Sequence, residues 1–238
     1  MLINLPNAYG DAITNMAIDA ALMHTLPSET AVFRHYAWTE PAITFGYSQK
    51  LATVRTQFPE KLQFCRRLTG GGIVDHRNDW TYSLLWPRKS TVGQKLPVVI
   101  YKELHSCILN ALASLGVTGL LAPCPRACKT KKQEIPATSN QCFVQASADD
   151  VLRSDGKKIA GAALKRTQDA LLLQGSIDRA SLPEAFDYAT FQTNLIKEIC
   201  TQWETSETQP DDLRVLIDGE RIQLEKKRFA SPEWLEKH

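Results

Sequence analysis

Arg66-Arg67-Leu68-Thr69-Gly70-Gly71-Gly72-Ile73-Val74-Asp75-His76 is the stretch on which the reading of this chain turns. Residues Gln63 to Leu68 have the composition of a strand, and the strand runs into three consecutive glycines. Glycine loses more backbone freedom on folding than any other residue, so a run of three suits a backbone that must approach something closely. Successive N–H groups with no Cβ atoms in the way can cradle an anion or a carbonyl oxygen. Arg66 and Arg67 can add charge-assisted hydrogen bonds to a phosphate or carboxylate. A flexible turn beside two solvated arginines accounts for the same residues equally well. The stretch is not a Walker loop, which requires Gly-Lys-Ser/Thr at its end.

Working outward, Asp11 to Thr25 places Ile13, Met16, Ala17, Ala20 and Ala21 at helical spacing. Ala31–Tyr36, Ala42–Phe45 and Trp80–Trp86 read as strands, with Pro41 marking a turn and Pro87 a stop. Val98 to Leu115 is helical, its apolar face including Ile100, Leu104, Ile108 and Leu112, and Gly116 ends it. Pro123 to Ser139 is polar, basic and proline-containing, the composition of a long surface loop that closes over or binds something. Val151-Leu152 and a strand from Lys158 to Ala163 flank an Asp155-Gly156 turn, and Ala170–Ile177 is a further strand. Pro183 to Trp203 is helical in pattern, and Glu204 to Asp212 is a polar linker. Asp218-Gly219 predicts a hairpin between Arg214–Ile217 and Arg221–Leu224. Strands outnumber helices and several pair through short turns. The expected fold class is therefore α/β of the α+β type, a mixed, largely antiparallel sheet flanked by helices. One domain is expected over residues 1–238, with 204–238 as a linker and hairpin extension.

Composition narrows the function classes. A net charge of +2 over 238 residues gives no electrostatic case for nucleic acid or membrane partners. No apolar run approaches the roughly 18 residues of a membrane span. The first residues lack a basic stretch followed by an apolar one, so a cytoplasmic protein is expected. In that compartment the six cysteines are not expected to form structural disulfides. Cys124 and Cys128 have no second Cys or His pair at zinc-site spacing, so no metal is expected.

A second chemical feature is Asp155-Gly156-Lys157-Lys158-Ile159-Ala160-Gly161-Ala162-Ala163. The small side chains leave room for a slender ligand along the strand. A lysine at its head can donate to a developing oxyanion, or release its proton more readily than a surface lysine. A solvated hairpin end is the commoner fate of a Lys-Lys pair.

Taken together, these motifs resemble the lipoate protein ligase and octanoyltransferase family. Arg-Arg-x-x-Gly-Gly-Gly-x-x-x-His is followed about 80 residues later by Gly-Lys-Lys-Ile-x-Gly. Asn15-Met16-Ala17-x-Asp19 and the run from Pro41 to Gln49, with its Gly46-x-x-Gln49 turn, are similar to family motifs too. The resemblance implies the catalytic domain fold shared with biotin protein ligases. It implies an acyl tunnel at Gly70, Gly71, Gly72, Ile73, Val74, Gly161, Ala162 and Ala163, with Lys158 on the acyl carbonyl. Arg66 and Arg67 stand where ligases hold an activated phosphate, and His76 closes the glycine motif. Gln174 and Gly175 stand where His-Gly is frequent. The partners implied are octanoyl-acyl carrier protein, or free lipoate or octanoate, and a lipoyl carrier domain whose lysine is acylated.

Two chemistries share this scaffold. Transferases use a cysteine thioester and need no cofactor, whereas ligases use ATP and Mg to form an acyl-adenylate. Cys142-Phe143, 16 residues before Lys158, resembles the Cys-Phe motif of the cysteine-dependent octanoyltransferases. The usual fate of a free cysteine is a small buried hydrophobe. The short stretch after Ile177 leaves little room for the accessory domain of many ligases, which favours transferase. Ligase remains the first alternative, and a non-catalytic acyl- or carrier-binding paralogue the second.

Overall fold

The computed structural model describes residues 1–58, 61–124, 146–209 and 216–237. The chain opens with short strands β1 (Leu2–Asn4) and β2 (Ala8–Gly10) and helix α1 (Ala12–Thr25). The Asp11 carboxylate caps α1 by accepting from Thr14 N, which satisfies one of its orphan N–H groups. Then come β3 (Ala31–Trp38), β4 (Ala42–Phe45), α2 (Leu51–Arg55), β5 (Gln63–Arg66), β6 (Ile73–Asp75) and β7 (Asp79–Pro87). Helices α3 (Thr91–Gln94) and α4 (Pro97–Ala113) lead to β8 (Leu120–Leu121). The second part holds β9 (Val151–Leu152), β10 (Lys158–Arg166), β11 (Ala170–Asp178), α5 (Tyr188–Gln202), β12 (Glu207–Thr208), α6 (Gly219–Ala230) and α7 (Pro232–Leu235).

The main sheet runs β12-β1-β3-β7-β11-β10-β9-β8, with β2 also on β3. From β3 to β8 every pairing is antiparallel, and β1 runs parallel to β12 and β3. A smaller sheet, β5-β4-β6, stands apart. The expected α+β class, with a mixed and largely antiparallel sheet, is the class observed.

Alternation along β7 sorts the two faces of the main sheet. Trp80, Tyr82, Leu84 and Trp86 face a core shared with Ile100, Leu104 and Ile108 of α4 and Phe191, Leu195 and Ile199 of α5. Fully burying side chains of this size stabilises by about 1.5–3 kcal/mol each, so this face anchors the fold. The opposite face carries Thr81 and Ser83 and lies under α1. There the register builds two cross-strand rows, Arg34–Ser83–Gln174–Ala163 and Tyr36–Thr81–Ser176–Gly161. A one-residue slip would turn both rows into the apolar core.

The predicted C-terminal hairpin is not what forms. Arg221–Leu224 belongs to α6, whose N-cap is Asp218, accepting from Glu220 N and Arg221 N. The Asp-Gly pair starts a helix here because its buried side chains, Glu225 and Phe229, recur at helical spacing. Phe229 and Trp234 cover the small residues Ala12, Ala17 and Ala20 of α1. The stretch read as a plain linker also holds β12, paired with β1. Residues 214 and 215 of the predicted hairpin lie outside the described residues.

Candidate active site

Between the second face of the main sheet and the smaller sheet lies an open cavity of about 490 Å³. The two cross-strand rows contribute Tyr36, Thr81, Ser176, Gly161, Gln174 and Ala163 to its lining. Thr44 of β4, Val74 of β6, His76 and Gly71 of the glycine loop line it as well. Gly71 has φ +84°, a left-handed conformation that a side chain disfavours, and an added Cβ would touch Ala163 and Arg67.

Lys158 enters from the head of β10. Its Nζ sits 2.8 Å from Asp150 Oδ2 in a pair that is 7% and 0% exposed. Asp150 is held in turn by Ser147 N at 2.5 Å and by the Tyr101 hydroxyl, which donates to Oδ1. Burial and the Asp150 charge push the Tyr101 phenol far above its usual pKa, so it remains a donor. The same oxygen accepts from Ala162 N at 3.2 Å, which ties the pair to the cavity wall. Gly161 is required by this arrangement. A Cβ there would lie 2.5 Å from Lys158 Cε and 2.9 Å from Asp150 Oδ1.

The first-helix motif acts from below. Asp19, fully buried, accepts from Arg34 Nη1 at 2.8 Å, Ser83 Oγ at 2.8 Å, Tyr36 OH at 3.2 Å and Gln174 Nε2 at 2.8 Å. Asn15 Oδ1 accepts from Arg34 Nη2 at 2.8 Å. Gln174 passes the order on, because its Oε1 accepts from Thr69 Oγ1 at 2.9 Å. A buried carboxylate thus fixes the position of the glycine loop. Removing one partner of such a buried pair typically costs about 3–5 kcal/mol.

Arg67 and Arg66 part company. Arg67 donates to Thr44 Oγ1 at 2.8 Å and to the carbonyls of Gly70 and Gly72, each at 2.9 Å. It therefore shapes the loop from within the cavity wall. Arg66 is not part of the cavity. It donates to the carbonyls of Tyr47, Gln49, Trp234 and Leu235, at 2.5–2.9 Å. Ile73 packs with Ile43, Phe45 and Leu51 instead of lining the cavity, and of the three glycines only Gly71 lines it, the carbonyls of Gly70 and Gly72 being turned to Arg67.

His76 stacks on Trp38 at 3.9 Å between ring centres. Its Nδ1 lies 2.7 Å from Asp79 Oδ2 and its Nε2 2.7 Å from Thr44 Oγ1. Asp79 also accepts from the hydroxyls of Thr81 and Ser176. Asp150, Tyr101 and Asp79 escape a reading of the sequence, since no local pattern marks them, and nothing within the Pro41–Gln49 run singles out Thr44.

Cys142 and most of the basic loop lie outside the described residues. Of the described cysteines none lines the cavity. Burial pushes the thiols of Cys65 and Cys107 up to about 12, which leaves them inert.

An ion-paired lysine thus lies beside a wall of small residues and shares one cavity with the glycine loop. Residues 11–202 match the lipoyl protein ligase A/B catalytic domain, and the chain belongs to that family. It is 32% identical over 203 residues to octanoyltransferase LipM of Oceanobacillus iheyensis, covering 82% of this chain and 70% of the relative. LipM of Macrococcus caseolyticus is 32% identical over 193 residues, 77% of this chain and 68% of the relative. Among solved structures, a lipoate-protein ligase A bound with ATP superposes with TM-score 0.70 at 16% identity, covering 98% of this chain and 97% of the other. A bipartite lipoate protein ligase from Thermoplasma acidophilum gives 0.71 at 15% identity, covering 98% and 94%. At these identities the structures establish the fold alone.

Proposed function

We propose that this chain is an octanoyltransferase, which moves an octanoyl group from an acyl carrier protein to a lysine of a lipoyl carrier domain. The carrying observation is the Lys158–Asp150 pair set against Gly161 at the cavity wall. An ammonium held there is ready to donate to the oxygen of a thioester carbonyl as charge develops on it. One such donor is typically worth about 10²–10³ in rate. Similarity to relatives named octanoyltransferase supports the same reading.

In this reading Cys142 is the nucleophile that carries the acyl group as a thioester, and Lys158 stabilises both the thiolate and the oxyanion. Residues 1–238 act as one catalytic domain in the cytoplasm.

The ligase alternative needs cationic groups for the phosphates of ATP and oxygen ligands for its Mg. Arg66 spends its guanidinium on four main-chain carbonyls, and Arg67 donates to Thr44 and the glycine loop. These commitments favour the transferase. The test is to incubate the protein with octanoyl-acyl carrier protein, or with octanoate and ATP, and to weigh it intact. An octanoyl adduct from the carrier without ATP, passed on to a lipoyl domain, is expected. Lys158→Ala should lose both steps while remaining folded. Acylation that requires ATP would replace the transferase by the ligase.

A further inference from the structure

The transfer just proposed leaves one chemical need unmet. A carrier lysine attacks in the neutral form that its pKa near 10.4 leaves as a minority, and its nitrogen becomes positively charged as the C–N bond forms, so an N–H proton must leave for the amide to result. Lys158 sits ion-paired to Asp150, and in the transfer proposed above its protons serve the acyl oxygen. A second proton acceptor is required in the same cavity, and the residues around His76 supply the parts.

We propose that the Thr44 hydroxyl, backed by His76 and Asp79, takes the proton from the attacking amine. The proposal rests on the acyl-transfer reading above. Its basis is a count of donors and lone pairs. A threonine hydroxyl has one proton and two lone pairs. Arg67 Nη1 donates to Thr44 Oγ1 at 2.8 Å, which occupies one lone pair. His76 Nε2 lies 2.7 Å from the same oxygen and receives its proton when the imidazole is neutral. In that tautomer Nδ1–H donates to Asp79 Oδ2 at 2.7 Å. The second lone pair of Thr44 is left for the cavity, which Thr44 lines.

The chain is also held still. Trp38 stacks on the His76 ring and donates from Nε1 to Thr81 Oγ1 at 2.8 Å, and Thr81 donates to Asp79. Ser176 donates to the same Asp79 oxygen. Both ring nitrogens are engaged and the ring face is covered, so the imidazole cannot turn away. A positive charge formed on it would meet the Asp79 carboxylate in a charge-assisted hydrogen bond.

The step balances. The amine nitrogen attacks the thioester carbonyl carbon and a C–N bond forms. An N–H proton passes to Thr44 Oγ1 as the threonine proton passes to His76 Nε2. The C–S bond breaks and the sulfur leaves with the bonding pair as a thiolate. The imidazolium returns its proton through Thr44 to that sulfur. Thioester and amine become amide and thiol, and no other reactant enters.

The experiment separates the two half-reactions in the full-length protein. Loading is read as the acyl-protein mass after mixing with octanoyl-acyl carrier protein. Transfer is read as acylation of a lipoyl domain by the loaded protein. Thr44→Val removes the hydroxyl at nearly constant shape, and Thr44→Ser keeps it. We expect Thr44→Val to slow transfer about 10²–10⁴-fold more than it slows loading, the usual weight of general acid–base catalysis. Thr44→Ser should recover most of the transfer rate. His76→Gln keeps a hydrogen bond but cannot take a proton, and should likewise lose transfer far more than loading. It decides the matter if Thr44→Val does not fold. Normal transfer by Thr44→Val or His76→Gln overturns the proposal. Equal loss of loading and transfer in both would mark a structural role and overturn it too. If the wild-type protein neither loads nor transfers, the acyl-transfer reading itself falls and this inference with it.

Discussion

Gly161→Ala tests the site with a single methyl group. The new Cβ would lie 2.5 Å from Lys158 Cε and 2.9 Å from Asp150 Oδ1, where ordinary contact begins near 3.4 Å. Asp150 is pinned by Tyr101 and Ser147, so the flexible lysine end must retreat, by about 1 Å. Stretching the ion pair from 2.8 Å to roughly 3.8 Å weakens it by about 1.5 kcal/mol at an effective dielectric near 20. For a chain of this length that is a fall in melting temperature of about 3–6 °C. Activity should suffer far more. A misplacement of about 1 Å in a positioned group can cost about 10²-fold in rate. The expected variant is folded, modestly less stable, and about a hundredfold slower in acyl transfer to a lipoyl domain. Calorimetry and a gel-shift or mass assay of the carrier check the two halves. A variant that melts and turns over like wild type would refute the placement of the ammonium over Gly161.

Three further outcomes are expected. Cys142→Ser should abolish transfer from octanoyl-acyl carrier protein and leave no acyl mass on the protein; transfer at the wild-type rate would remove Cys142 from the mechanism. Gly71→Val forces a β-branched residue to φ +84°, at a cost of about 1–2 kcal/mol or more, and crowds Ala163. Titration calorimetry should show octanoyl-ligand affinity down by at least about tenfold, and unchanged affinity would reduce the loop to a turn. His105 is fully buried with both ring nitrogens lacking a partner among the described residues, and burial lowers its pKa from 6.5 to about 4. Its unfolded form therefore binds the proton first, so stability is intact above pH 6.5 and falls as the pH drops toward 4. The slope is at most about 1.4 kcal/mol per pH unit. His105→Leu should flatten that part of the melting-temperature profile, and an unaltered profile would contradict the assignment.

Much of the site was legible because its parts carry local signatures. Three glycines in a row, and a lysine heading a strand of small residues, are unusual in themselves, and the structure brings Gly71, Lys158, Gly161 and Ala163 to one cavity. Strands such as Ala42–Phe45 and the helix from Asp11 followed from apolar spacing and turn residues. What stayed hidden depends on contacts across long stretches of chain. Tyr101 and Asp150 are 49 residues apart, and neither is distinguished from an ordinary helix or turn residue until the fold joins them and pairs Asp150 with Lys158. Arg66 and Arg67 look equivalent in sequence, yet strand alternation sends one to the carbonyls of Trp234 and Leu235 and the other to the glycine loop. The misread hairpin has the same origin. Four residues of alternating pattern after Asp218 cannot reveal that α1 presents a face of small side chains needing a helix to cover it.

The clasp on Arg66 bears on the timing of synthesis. Its guanidinium is fully buried and donates to Trp234 and Leu235, while the Trp234 indole donates back to the Arg66 carbonyl, 168 residues away. At about 5–20 residues per second, the ribosome needs on the order of ten to thirty seconds to deliver those acceptors. During that interval β5 leads into the glycine loop with a charged group that has only the Tyr47 and Gln49 carbonyls to meet it. The strand that leads into the glycine loop therefore reaches its finished form late in translation, and a nascent chain interrupted before Trp234 carries the motif without the Arg66 clasp.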